Sequence, residues 1–202
     1  MLVKHNNNSI SSITTPGSLA QGKMTLISSQ TASGSASISF TSGIDSTYPI
    51  YRFEFINCHP SINNASFEFQ GSTDGGSNYN TTMTTTWFYA GHSENDSTTY
   101  LVYGTGADQA QGTGFQKLSA GIHNNSDDNL NGTLEIFNPS SNTYVKHFIS
   151  RTVAKGDESN DNYTAGYFNT TSSINAIIFR MNSGNMDSGT IKLYGIKGDW
   201  WV

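Results

Sequence analysis

Glu54 and Glu68 raise the first chemical question. Each sits between two aromatics, in Phe53-Glu54-Phe55 and Phe67-Glu68-Phe69. Two carboxylates about 5–10 Å apart across a cleft suit glycosidic-bond hydrolysis. If these runs are adjacent strands, the pair could come within reach. Both positions suit ordinary exposed-face acids equally well, with Arg52 close enough to pair. Other catalytic patterns are missing. The five histidines (His5, His59, His92, His123 and His147) are dispersed, with no HExxH spacing. No GxSxG elbow occurs. Gly104-x-Gly106 does not extend to GxGxxG and has no basic residue beside it. Cys58 is the single cysteine, which excludes an internal disulfide and a cysteine-based metal cluster. It follows the apolar Phe55-Ile56 and reads as a small buried hydrophobe. The expectation is a chain with no catalytic centre and no resident cofactor.

Two stretches could bind without reacting. Asn124-Asn125-Ser126-Asp127-Asp128-Asn129 offers hard oxygen ligands for Ca²⁺. It lacks the glycine and distal glutamate of an EF-hand loop, and such runs are ordinary turn material. Tyr79, Trp87, Tyr89 and His92 cluster around one strand and could present rings to a sugar, beside Asn, Asp and Gln hydrogen-bonders. Trp87 also has apolar neighbours, which suits core packing.

These residues need strands to position them. Tyr51, Phe53 and Phe55 alternate with Arg52 and Glu54, the period-2 pattern of a half-buried strand. Phe67-Glu68-Phe69 repeats it. The turn-rich Asn57-Cys58-His59-Pro60-Ser61 between these runs predicts an antiparallel pair. Threonines leading into Trp87-Phe88-Tyr89 form another strand. Leu130 to Arg151 reads as a β-hairpin around Asn138-Pro139-Ser140-Ser141-Asn142. His147 reads there as a hydrogen-bonded packing residue between Val145 and Ile149. Further strands are expected at residues 24–28, 35–40, 98–103, 163–168, 176–181 and 190–196, with a charged loop over 155–162. No sustained 3.6-residue apolar repeat occurs. About twelve short strands with frequent turns predict an all-β fold, an antiparallel β-sandwich of jelly-roll or Greek-key type. It would occupy residues 23–202, preceded by a polar N-terminal arm over 1–22.

Composition narrows the function classes. Of 202 residues, 35% are hydrophobic but 12% are aromatic, enough for a core of large side chains. Only 12% are charged, so the polarity comes from Ser, Thr, Asn and Gly, unlike a disordered chain. A net charge of -5 with no Lys/Arg block argues against nucleic acid as a partner. No apolar run approaches the roughly 20 residues of a membrane span. The N-terminus lacks the apolar core of a secretory signal.

Several longer phrases resemble a group of small proteins encoded by marine tailed bacteriophages. They are Ser39-Phe40-Thr41-Ser42-Gly43-Ile44-Asp45-Ser46-Thr47-Tyr48, Phe137-Asn138-Pro139-Ser140-Ser141, and Thr143-Tyr144-Val145-Lys146-His147-Phe148. Ala165-Gly166-Tyr167-Phe168-Asn169-Thr170-Thr171, Ser183-Gly184-Asn185 and Gly189-Thr190-Ile191-Lys192-Leu193-Tyr194-Gly195 extend the likeness, which spans roughly residues 24–197. The resemblance implies a β-rich, non-enzymatic virion structural protein, assembled in the bacterial cytoplasm. It supplies no catalytic residues. A capsid decoration protein fits a compact domain with an arm and no repetitive shaft. A tail-fibre or other receptor-binding module that reads a host-surface glycan is the alternative. Expected partners are major capsid or tail proteins and further copies of this chain.

Candidate assembly contacts are Ile10 and Ile13 in the arm, Trp200 and Trp201 near the C-terminus, and Phe137, Tyr144 and Phe148 on the hairpin. The hairpin has apolar groups on both faces, as expected of a strand pair pressed between layers or against a partner.

Overall fold

The computed structural model describes residues 24–197. Among them no helix forms, and the chain builds thirteen strands. They are β1 (Met24–Thr31), β2 (Ile38–Phe40), β3 (Ile50–Pro60), β4 (Phe67–Ser72), β5 (Met83–Ser93), β6 (Thr99–Tyr103), β7 (Ala110–Gly112), β8 (Gln116–Lys117), β9 (Leu130–Phe137), β10 (Lys146–Lys155), β11 (Glu158–Phe168), β12 (Ala176–Met181) and β13 (Met186–Ile196). Nine form one antiparallel sheet in the order β1-β13-β3-β9-β10-β11-β5-β6, with β7 also on β5. The other four form a smaller sheet, β2-β12-β4-β8. The two sheets pack as the expected β-sandwich.

Alternation decides which side chains meet between the sheets. Tyr51, Phe53 and Phe55 of β3, Leu134 and Ile136 of β9, Phe148 of β10 and Phe168 of β11 are all buried. Phe67 and Phe69 of β4 and Phe179 of β12 meet them from the small sheet. Phe179 is the hub. Its ring centroid lies 5.0 Å from Phe53, 5.1 Å from Phe55, 5.7 Å from Phe67, 6.3 Å from Phe40 and 6.4 Å from Phe69. Most of these contacts are edge-on, the arrangement that sets the positive rim of one ring against the negative face of another.

β3 and β4 do not pair. β3 runs on through Asn57 and Cys58 to Pro60, where a turn was expected. Asn57 takes a left-handed backbone (φ 51°), and the register against β9 shifts between Phe55 and Cys58. This is a bulge, which bends a strand without ending it. The chain then crosses to the other sheet, and Phe55 faces Phe67 across the core at 5.0 Å. Opposite it, Gly189 of β13 (φ 124°) has no room for a Cβ, which would lie 2.7 Å from the Cys58 Cα. The turn-like Asp187-Ser188-Gly189 is therefore a second irregularity inside a strand.

The β9–β10 hairpin forms as the sequence predicts, with Ile136 opposite Phe148 and Leu134 opposite Ser150. The expected charged loop over 155–162 does not form. β11 begins at Glu158, and Lys155 pairs with Ser159 around a turn at Gly156-Asp157. Polar residues fill the inward positions of β11: Asn160, Asn162 and Thr164 are buried. Asn162 receives the Ala120 N–H at 2.8 Å, and the Thr164 hydroxyl donates to the Lys117 carbonyl at 3.1 Å. Hydrogen-bonding side chains there tie the large sheet to β8 and the segment after it, which a period-2 apolar pattern could not reveal.

Candidate functional site

Two surfaces stand out, one on each side of the large sheet. The first lies on the inner side, where β5 and β6 extend past the small sheet. Trp87 and Tyr89 occupy successive inward positions of β5, with ring centroids 4.6 Å apart and planes 24° from parallel. Tyr100 of β6 meets Tyr89 edge-on at 5.7 Å. The Tyr100 hydroxyl donates to Glu158 at 2.6 Å; burial and that carboxylate push its phenol well above the usual range. Trp87 and Tyr89 floor a groove of about 490 Å³, with Tyr100 packed against Tyr89. Gly104, Gly106 and Ala107 wall one side; Lys117, Ala120, Gly121, Asn64, Ser66 and Asn182 wall the other.

The glycine at 104 is a packing requirement. A Cβ there would lie 2.0 Å from Cε3 and 2.3 Å from Cζ3 of Trp87. The Gly104 N–H donates to the Trp87 carbonyl at 2.9 Å, and the Trp87 N–H donates to Asp108 at 2.8 Å. The loop thus grips the benzo edge of the indole, and the pyrrole edge with Nε1 lies on the opposite side. Trp87 is 7% exposed, and its Nε1–H has no acceptor among the described residues. It lies outside the main hydrophobic cluster, so ordinary core packing does not describe it.

The other proposed sugar contacts do not join this pair. His92 is exposed, one strand position out of phase with Trp87 and Tyr89, and meets Asp96 at 3.0 Å. Tyr79 lies beside Gly76 in the loop after β4. Residue type alone did not point to Lys117, Asn64 or Asn182. These come from three separate segments, and only the pairing of the strands collects them.

The second surface is the outer side of the large sheet. Phe88, Ile149, Tyr163 and Ala165 line a trough of about 400 Å³, with Thr133, Glu135 and Arg151 around it. Ile149 is 49% exposed and Phe88 39%. Charged groups on this face are matched. Arg52 hydrogen-bonds Glu135 through Nε at 2.8 Å, and Arg151 binds Asp161 through two nitrogens at 2.9 and 2.7 Å. Lys192 and Glu54 are register partners on neighbouring strands.

The hairpin residues divide across the sheet. Phe148 is buried in the core, because Lys146, Phe148 and Ser150 take the inward phase, and it cannot contact a partner. Phe137 is half-buried, and Tyr144, in the turn before β10, is 71% exposed. His147 is exposed beside Tyr167 and is not a buried packing residue. Ile149 is the outward residue that the pattern underrated. Ile10, Ile13, Trp200 and Trp201 lie outside the described residues.

The two glutamates are far from a catalytic pairing. Phe53 and Phe55 point inward, so Glu54 projects from the outer face of the large sheet. Glu68 projects from the outer face of the small sheet, where Arg180 binds it at 2.7 Å beneath Phe115. In the Asn124–Asn129 stretch the acids serve a cation already present. Lys155 Nζ lies 2.9 Å from Asp128 and 3.2 Å from Asp127. Among the described residues, no His, Cys, Asp and Glu grouping is arranged to hold a metal ion. Cys58 is fully buried, and burial pushes its thiol up to about 12.

Comparisons with protein-family models, with curated proteins and with solved structures find no match to this chain.

Proposed function

We propose that this chain is a non-enzymatic structural component of a bacteriophage particle, a capsid decoration protein that assembles with further copies of itself. Its assembly surface is the outer face of the large sheet. The observation that supports assembly is the uncovered trough around Ile149 and Phe88. Exposed apolar groups gathered into one patch commonly mark an interaction site. The occupant we assign is a second copy of this chain. The face carries Arg52, Arg151 and Lys192 against Glu54, Glu135 and Asp161, so its charges balance and a copy meets no net repulsion. The virion setting rests on the likeness of the quoted phrases to small marine-phage proteins.

Two measurements test the reading. Light scattering on the purified protein should show a defined oligomer, and a monomer at all concentrations would overturn self-assembly. Mass spectrometry of purified particles should find the chain at a copy number comparable to the major capsid protein. A handful of copies per particle would sink decoration and favour a tail position.

A further inference from the structure

We propose that the groove over Trp87 and Tyr89 is a saccharide-binding site. It is independent of the assembly surface, because it opens on the inner side of the large sheet. Three features carry the inference. The first is the floor: Trp87 and Tyr89 stack in a polar-walled groove outside the sandwich core, and Tyr100 braces Tyr89 edge-on. Aromatic faces match the apolar C–H face of a sugar ring, and amide rims match its hydroxyls. A few placed polar groups around an apolar floor is the usual design of a small-molecule site.

The second is the Trp87 Nε1–H, a donor enclosed without an acceptor among the described residues, in a side chain that is 7% exposed. A buried donor left unpaired is destabilising. Gly104 packs on the benzo edge, and Nε1 lies across the indole from it. A ligand hydroxyl would supply the acceptor once a small shift of the Trp87 ring opens Nε1 to the groove.

The third is the opposite wall. Asn182 uses its side-chain oxygen to accept the Ser66 N–H at 2.8 Å, which leaves its NH₂ end to donate outward. Lys117 stands beside it. Its cross-strand neighbour Glu68 is committed to Arg180, and no carboxylate among the described residues lies within ion-pairing distance of Lys117. A hydroxyl-rich ligand, with or without a carboxylate, answers these groups. The scarcity of positive charge elsewhere makes a nucleic-acid strand a poor alternative occupant.

The test is a titration of the full chain, ¹⁵N-labelled, with neutral, N-acetylated and uronic-acid trisaccharides at millimolar concentration. The indole N–H resonances of the three tryptophans are followed, that of Trp87 being assigned through Trp87→Phe. At least one sugar should shift the Trp87 resonance saturably. Tyr89→Ala and Lys117→Met, each checked for an unchanged fold by thermal melting, should weaken that binding about tenfold or more. If no sugar in the three classes gives a saturable shift at Trp87, the inference is overturned. A shift that both folded variants leave unchanged overturns it equally.

Discussion

Phe88 and Tyr163 are register partners on β5 and β11, and their rings lie parallel within 4° at 4.9 Å on the solvent side of the large sheet. The Arg151 guanidinium sits 5.1 Å from the same Tyr163 ring while bound to Asp161. Such a cross-strand pair stabilises the sheet by roughly 0.2–1 kcal/mol. It also holds two aromatic rings flat and exposed beside Ile149, a rigid surface that costs little entropy to dock against.

Ile149→Glu should therefore weaken self-association by at least tenfold, about 1.4 kcal/mol. The folded monomer should lose no more than about 1 kcal/mol, because Ile149 is half exposed and away from the core. Sedimentation equilibrium beside urea denaturation separates the two effects. Unchanged association would remove Ile149 from the interface.

Phe179→Ala should be among the most damaging single changes. It deletes the ring that touches five others, and large-to-small changes at such sites cost about 3–5 kcal/mol. The urea midpoint should fall by that equivalent. A loss below about 1 kcal/mol would mean that the surrounding rings close over the cavity.

Cys58 should resist thiol reagents in the folded protein and react on unfolding. Burial raises its pKa from 9.0 to about 12, so the native state holds the proton after the unfolded thiol has lost it. The associated stability is complete below pH 9.0 and drains away as pH rises towards about 12. Cys58→Ala should flatten that decline in urea midpoints measured across the alkaline range. Rapid labelling of the native protein at neutral pH would contradict the burial.

Lys146 should act in the opposite direction. It is fully buried, and Nζ donates to the Thr170 carbonyl at 3.1 Å. Burial holds its pKa below the ordinary 10.5. The unfolded chain therefore binds the extra proton, and stability rises with pH through the interval between the folded value and 10.5. Lys146→Met should remove that rise. A wild-type slope preserved in the variant would place the titrating group elsewhere.

The sandwich was legible because aromatic alternation in Tyr51-Phe53-Phe55 and Phe67-Phe69 names the inward face directly. The sheet assignment was not. A turn-rich stretch after an apolar strand reads as a hairpin end, whereas here Asn57 makes a bulge and the strand continues to Pro60. The polar lining of β11 was hidden for a related reason: Asn160 and Asn162 are buried because they hydrogen-bond, and hydropathy scores them as loop. Trp87 and Tyr89 were found from residue type alone. Lys117 and Asn182 could not be, since nothing local distinguishes them from other polar residues near strand ends.

The pairing of Met24 with Ile196 places the chain's entry to the domain and its exit from it side by side on β1 and β13. A force applied through both flanks would load the ladder at one end and open its bonds in succession. That is a zipper geometry, and it yields at lower tension than strands sheared along their length. Held by one flank, the domain bears the load as a whole; held by both, it becomes a compliant link that gives way first at β1.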